Sequence, residues 1–536
     1  MNNYLRNSIL ISLCCAGISA CNNKNTEESE QKRDTLKIDI GGDVTSFDPQ
    51  KMVDFYTFRV ISDLDEGLID IDQSDKPIAG MAKRWEISPD GKIYTFYLRD
   101  DLKFSDGSPI TAESFVYSWR RLANPKTGAY TFVIDHLKNA KEIFAGKLPS
   151  ESLGIEAIEP SILQVTLDSP DPAFIAKCTA VFTTPVPQHI IEQYGESWAI
   201  PQHLVSAGAY KIVDRIINGP IKLSKNDFYY NANSVQINKL EFIPYPDRYA
   251  AIAAYKAGNI DISGNVPIDQ YQELKQKYPS ELKTVKMEGI TFYSLNTQVK
   301  ALQNKNLRQA LSMAVDREVI AKKVLANGQA PLYSYTTNTI ENSRYPNLDY
   351  AWSNLPNNEQ IKLAQILYNK AGYNHKRPFK VDLLYDNNDA SRKVAVAIAD
   401  MWKTNLGVQT NLHSSEWKTY LDARKTGKFE IIKNGWGAAF NFVTTYTPEY
   451  ACGSAVNVSK LCTNGYDKLL ELANEEQNRE LQTNIYNKAL SLAMNEYGII
   501  PLYQNSYTML IKPYVLGLDV ENNLLDDIRS KWISFK

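Results

Sequence analysis

Two sets of residues in this chain have types and spacing that could do chemistry, and they imply different functions. The first is Phe429 to Asn441, FEIIKNGWGAAFN. Alternating strand residues there run into Asn434-Gly435-Trp436-Gly437, whose small members let another backbone come close. An extended peptide can pair with such an edge by strand addition, its main chain hydrogen-bonded and its side chains sent into pockets. The same residues also fit a glycine-rich surface turn beside a packed tryptophan. The second set is Ser280-x-x-Lys283, Tyr385-x-Asn387 and Lys425-Thr426-Gly427, in the order of an acyl-transfer serine site. A nucleophile of that kind opens a buried helix, whereas Ser280 follows Pro279 and precedes an alternating strand, so an envelope hydrolase is the weaker alternative. There is no GxSxG, Walker A or HExxH string. His136, His189, His203, His375 and His413 include no pair at helical metal-ligand spacing. No cofactor or metal is expected.

The elements that must hold the first set are legible nearby. Lys380 to Tyr385, a helix over Ser391 to Asn405, and Val408 to His413 form a βαβ unit, with Val394, Ile398 and Met401 facing inward. Gly289 to Asn296 is an aromatic strand leading into the apolar stripe Leu307, Ala310, Leu311, Ala314 and Val315. Asp316 caps the next helix, DREVIAKKVL. Upstream, Leu36 to Ile40, Ile93 to Leu98, Leu163 to Leu167, Lys239 to Pro244 and Asp261 to Gly264 read as strands, and Ala250 to Ala257 as a short helix ending at Gly258. Leu102 to Pro125 combines a turn (Ser105-Asp106-Gly107-Ser108-Pro109) with a helix capped by Thr111, carrying Phe115, Trp119 and Leu122 and stopped at Asn124-Pro125. The last long helix runs to about Asn495, with Gly498 and Pro501 beyond it.

At 536 residues the chain should form two or three lobes. A net charge of −2 speaks against a nucleic-acid footprint. Arg6 and the apolar run Ile9 to Ile18 read as a processing segment, too short to span a bilayer. It ends in Ile18-Ser19-Ala20-Cys21, which resembles the lipobox of bacterial lipoproteins, with Cys21 as the lipidated residue. Residues 22–35 are polar and charged and read as a flexible tether. No later run approaches eighteen apolar residues, so membrane contact is expected only through the lipid. Cys452 and Cys462 can close a short loop that stabilises by about 2–3 kcal/mol; with Cys178 left over, the pairing stays open.

Beyond these patterns, Phe104-Ser105-Asp106-Gly107-Ser108-Pro109-Ile110-Thr111-Ala112 and the helix after it, ESFVYSWRR, resemble the signature of the periplasmic oligopeptide-binding proteins, the solute-binding subunits of peptide ABC importers. Ser46-Phe47-Asp48-Pro49, Asp65-Glu66-Gly67-Leu68, Ala207-Gly208-Ala209-Tyr210-Lys211 and the 289–325 region resemble further family elements, covering essentially the whole mature chain. The resemblance implies an α/β fold of the type II-like periplasmic-binding-protein class: two ligand-clasping lobes joined by a hinge, plus a third, inserted lobe. Carried over, lobe I is 36–65, 189–288 and 507–536, lobe II is 66–188 and lobe III is 289–506, with the chain crossing near 288 and 506. It also implies a monomeric binder in the periplasm, anchored by lipid, that hands peptides to an inner-membrane permease without catalysis.

The same resemblance assigns site residues. Lys433, Asn434, Gly435, Trp436, Gly437, Ala439 and Asn441 lie on the strand that clamps peptide main chain. Trp417 and Arg424 match the pocket wall, Tyr130 and Asn265 match pocket-lining positions, and Asp54 and Phe55 match the lobe I segment that forms the other edge pairing. Lys433 stands where peptide binders hold an arginine, and it lacks the planar bidentate fork. A cysteine pair that bridges this strand in some relatives is replaced by Gly289 and Gly437. Where the family holds the acid that receives the ligand's α-ammonium, this chain has Ala439. The ligand is therefore expected to include N-blocked, longer, wall-derived or otherwise modified peptides, or a different small solute. The expected consequence of the lipobox is that Cys21→Ala moves the protein from the membrane fraction to the soluble envelope fraction; a wild-type protein already soluble, with no lipid in its mature mass, would refute lipidation.

Overall fold

The computed structural model describes residues 33–52, 54–127, 131–345, 348–454, 456–525 and 527–536. Cys21 and Tyr130 lie outside them. From the N-terminus the frame begins with β1 (Thr35–Asp39), α1 (Phe55–Leu64), β2 (Ala82–Ile87), β3 (Ile93–Leu98), α2 (Ala112–Ala123), β4 (Ile155–Glu159) and β5 (Ile162–Thr166). Next come α3 (Phe174–Lys177), β6 (Tyr210–Arg215), β7 (Ile221–Lys225), β8 (Lys239–Ile243), β9 (Leu282–Leu295), α4 (Lys305–Met313) and β10 (Ala330–Pro331). β11 (Lys380–Asp386), α5 (Asp389–Leu406), β12 (Gln409–Ser415), α6 (Trp417–Thr426), β13 (Ile431–Gly437), α7 (Arg479–Met494) and β14 (Ile499–Leu510) complete it.

These strands build three large sheets. The first has the order β1-β8-β7-β6, with β1 parallel to β8 and the rest antiparallel. The second, β2-β3-β5-β4, is antiparallel throughout. In β3, IYTFYL, Tyr94, Phe96 and Leu98 are buried and their neighbours are not, the period-2 signature of a half-buried strand. α2 lies over this sheet with Phe115, Trp119 and Leu122 buried. Trp119 can be wholly buried because its indole N–H donates to the Thr183 carbonyl at 2.8 Å. The entry turn is set by Gly107 (φ +87°), and the Thr111 N–H donates to Ser114 Oγ at 3.1 Å, closing the first turn of the helix.

The third sheet, β10-β14-β9-β13-β11-β12, carries the candidate site. β9 is a central strand, antiparallel to both β13 and β14, and every residue from Glu288 to Leu295 is buried. Such a run belongs to a strand covered on both faces. β11, α5 and β12 form the βαβ unit, with β11 and β12 parallel from Lys380↔Gln409 to Asp386↔Ser415. α5 starts where Asn388 Oδ1 accepts the Ser391 N–H at 2.9 Å and stops at left-handed Gly407 (φ +79°). Trp402 of α5 donates to Leu311 O of α4 at 2.9 Å, locking the two helices together.

Two local expectations are corrected. Asp261 to Gly264 forms no strand: only Ile262 bridges, to Ile38 and Ile511. The helix after Asp316 begins as expected, with Asp316 Oδ1 accepting the Val319 N–H at 3.0 Å, but widens to π geometry over Ile320–Leu325. There the wholly buried Arg317 spends its guanidinium on the carbonyls of Ser312, Val315, Leu332 and Pro501, tying the end of α4 to β10 and β14. Cys452 and Cys462 are disulfide-bonded, Cα–Cα 5.0 Å, and Cys178 is a buried thiol. Val458, inside that loop, packs on Ile432 of β13 and Tyr420 of α6. Among the described residues no helix is long and apolar enough to cross a membrane.

Candidate functional site

β13 reads IIKNGWG, and its hydrogen bonds are phased by its ends. The Asn296 N–H donates to Glu430 O at 2.9 Å and the Ala438 N–H donates to Glu288 O at 2.7 Å. Antiparallel alternation then directs Ile432, Asn434 and Trp436 toward β9, and the N–H and C=O of Lys433, Gly435 and Gly437 to the opposite side. On that side β11 pairs only at Leu383↔Ile431 and Leu384↔Ile432 before it splays away. The Lys433 carbonyl accepts from the Tyr420 hydroxyl, and the Gly435 N–H is taken by Asn434 Oδ1 at 2.9 Å. The Gly435 carbonyl and both main-chain groups of Gly437 have no protein partner among the described residues. A Cβ placed on Gly437 would meet nothing within 4 Å, so the edge is open to another chain.

Just past this edge lies a cavity of about 200 Å³. It gathers residues far apart in sequence: Met52, Asp54, Phe55 and Phe58, then Ile71, Phe132, Thr179, Ala180 and Phe182, and finally Gly437 to Ala439 with Leu525 and Asp527. Asp54, Phe55, Gly437 and Ala439 of the sequence-derived set thus meet in one place. Asp54 and Phe55 do so differently than expected. Phe55 opens α1 instead of continuing an extended edge, and Asp54 is its N-cap, accepting from the Thr57 N–H at 2.8 Å and from the hydroxyls of Thr57 (2.9 Å) and Thr45 (2.6 Å). The wall at Thr179 to Phe182 follows α3, where Lys177 is ion-paired with Asp171 at 2.8 Å.

The remaining positions lie outside this cavity. Asn265 is spent on β14, accepting from the N–H and hydroxyl of Thr508 (3.2 and 2.7 Å). Asn441 Oδ1 accepts the Glu341 N–H at 2.8 Å. Trp436 donates to Thr445 O at 2.8 Å, and Lys433 pairs with Asp386 at 3.1 Å. Trp417, 55 % exposed, stacks on Tyr420 at 5.4 Å between centroids, so it flanks the open edge without enclosing it. Arg424 is half-buried, and its charge acts on Glu449 beneath the sheet.

Buried acids that sequence patterns did not single out support the edge from behind. Glu449 lies under β13, Oε1 3.5 Å from the Asn434 amide nitrogen, and Oε2 has no hydrogen-bond partner among the described residues. Burial pushes its carboxyl up to about 8 against the opposing pull of Arg424. Glu288 lies where β9 shifts register; its N–H donates to Leu524 O and its C=O accepts from Ala438, both at 2.7 Å. Asp75 holds the N–H groups of Leu524 and Leu525, and burial, with Asp527 and Glu288 nearby, pushes it up to about 7. Isolated acids in loops carry no periodic signal, and only the folded chain brings them together.

Comparison with known proteins supplies a family for this fold. The model of the bacterial extracellular solute-binding proteins, family 5 Middle, matches residues 76–457. The chain belongs to this family. The solute-binding protein is 35% identical over 494 residues to the periplasmic oligopeptide-binding protein OppA of Salmonella typhimurium, covering 90% of each chain. It is 32% identical over 526 residues to the periplasmic murein peptide-binding protein MppA of Escherichia coli, covering 97% of each. The crystal structure of Haemophilus influenzae OppA in complex with RPPGFSPFR matches it with a TM-score of 0.81 and 33% identity, over 94% of this chain and 99% of that one. The fold is therefore the type II-like periplasmic-binding-protein α/β class.

Glu449 gives this solute-binding protein a testable pH signature. A carboxyl raised to about 8 in the native state keeps a proton that the unfolded chain, near 4.3, has lost, so stability falls as pH rises from about 4.5 to 8. Glu449→Gln removes that contribution, while Asp65 and Asp75, both raised to about 7, keep part of the slope. Urea midpoints measured from pH 5 to 8 should fall less steeply for the variant; parallel curves would refute a protonated Glu449.

Proposed function

We propose that this protein captures oligopeptides along the β13 edge and delivers them to an inner-membrane ABC permease. The observation that carries this reading is the Gly435 carbonyl and the main chain of Gly437, left unpartnered among the described residues beside an apolar cavity. A peptide main chain supplies the missing donors and acceptors at any sequence. Relatives named for oligopeptide and murein peptide binding support the ligand class. Holding a peptide in this way requires no bond to break, and Ser280 lies in an exposed turn, not at the start of a buried helix. The protein acts as a monomer without a cofactor, in the periplasm, tethered by a lipid on Cys21.

In this reading the peptide sits between lobe I (36–65, 189–288, 507–536) and lobe III (289–506), and the crossings near 288 and 506 act as the hinge. Glu288, bonded to both Leu524 and Ala438, lies on the first crossing. A ligand that touches both lobes stabilises the closed form, which the permease recognises. Ala439 favours a second reading within the class, in which the peptide is wall-derived or otherwise modified.

Calorimetry with defined tri- to pentapeptides, X-ray scattering of the saturated complex and chromatography of the recovered ligand test this together. One-to-one binding, a smaller radius of gyration and intact peptide are expected. Cleaved peptide would overturn the binding-protein reading, and saturation with an unchanged scattering profile would overturn hinge closure.

A further inference from the structure

The cavity at the end of the β13 edge is built for an uncharged, apolar group. Its lining includes Met52, Phe55, Phe58, Phe132, Phe182 and Leu525, and among the described residues only Asp54, Thr179 and Asp527 bring polar side chains. Phe55 and Phe132 present large apolar surface, 72 % and 39 % exposed, in a region where neighbouring Met52 and Phe182 are buried. An apolar cavity of about 150 Å³ accommodates a benzene ring, so about 200 Å³ is room for a short acyl chain.

Neither charged terminus of a peptide suits this place. Among the described residues no lysine or arginine lines the cavity to receive a carboxylate, and Asp54 and Asp527 would repel one. An ammonium taken out of water needs a counter-charge that is not already neutralised. Asp527 is ion-paired with Arg529 at 2.8 Å, and Asp54, as the N-cap of α1, faces the partial positive charge of that helix terminus while accepting three hydrogen bonds. Ala439, exposed on the cavity wall beside Gly437, offers only a methyl group.

Resting on the peptide reading above, we infer that the site selects peptides whose amino end is acylated, with the acyl chain in the cavity and the peptide main chain along β13. The acyl group removes the amine's charge, and its methylenes gain from leaving water against the phenylalanine rings.

The test is calorimetry with trialanine, N-acetyl-trialanine and N-hexanoyl-trialanine, on the wild type and on Phe55→Ala, Phe132→Ala and Ala439→Asp. The hexanoyl peptide should bind at least about tenfold more tightly than the free amine, as several buried methylenes imply. The hexanoyl-to-free ratio should shrink in each phenylalanine variant and shift toward the free amine in Ala439→Asp. Because Phe55 is largely exposed, its variant keeps the test open if Phe132→Ala does not fold. Equal or tighter binding of free trialanine by the wild type would overturn the inference and leave the peptide reading standing, as would an acyl gain that survives both phenylalanine variants. Binding of none of the three would overturn both.

Discussion

A backbone amide or carbonyl that is taken out of water must find a partner, and the exposed Gly435 carbonyl and both main-chain groups of Gly437 have none among the described residues, so anything that covers them must supply one. An unpaired edge is normally a liability that proteins cover or shorten. Here it is kept open over a few residues and bounded on each side. β11 pairs with β13 for two residues and leaves, and the Tyr420 hydroxyl closes off the Lys433 carbonyl. Beyond Gly437 the chain turns into Ala438 and Ala439 on the cavity wall. The glycines leave the face of the sheet beside this edge free of side chains, because Cβ atoms there would project from the face and not from the edge. A short edge of this kind can pair with one extended peptide but is too brief to template a long intermolecular sheet.

Holding that edge in place requires buried polar groups, which are costly unless each is satisfied. The protein meets this by neutralising some charges and pairing others. Burial pushes the Glu449 carboxyl behind β13 up to about 8, which works against a charge under that strand. Near the cavity, Arg529 bonds both Asp527 and Asp70, and Lys531 bonds Asp70 and Glu66, so the acids lean on two buried cations. Glu288 joins the strand to the C-terminal segment through its own main chain. One backbone unit thereby links the end of β13 to the Leu524–Leu525 wall.

Much of this architecture is legible in the sequence because the periodic parts bury one face. The alternation of IYTFYL, the Phe115-Trp119-Leu122 stripe and the β11-α5-β12 unit fold as their patterns imply. The alternation of FEIIKNGW also marks a strand, and its pairing with β9 from Leu295↔Ile431 to Gly289↔Gly437 decides against the surface turn that the glycines equally allowed. What escaped was either non-periodic or decided by competition between partners. Asp54 and Phe55 look extended in sequence, yet an aspartate before apolar residues is equally a helix cap, and the Thr57 amide and hydroxyl decide it. Trp417 and Asn265 have types suited to a pocket, but stacking on Tyr420 and hydrogen bonding to Thr508 claim them first. Phe132, Phe182 and Leu525 are single residues on separate loops, and no local pattern marks them as neighbours.

The central claim is that a ligand's own main chain completes the β13 edge. It is tested most directly by calorimetry on one bound pentapeptide, N-methylated at a single peptide nitrogen at a time. In a strand pairing, N–H groups face the partner at every second residue. Affinity should therefore fall by about tenfold or more at alternate positions, as expected for a lost hydrogen bond that leaves a carbonyl unpaired, and change little at the positions between. A scan in which no N-methyl group costs more than about twofold, well under one hydrogen bond, would contradict strand addition at this edge.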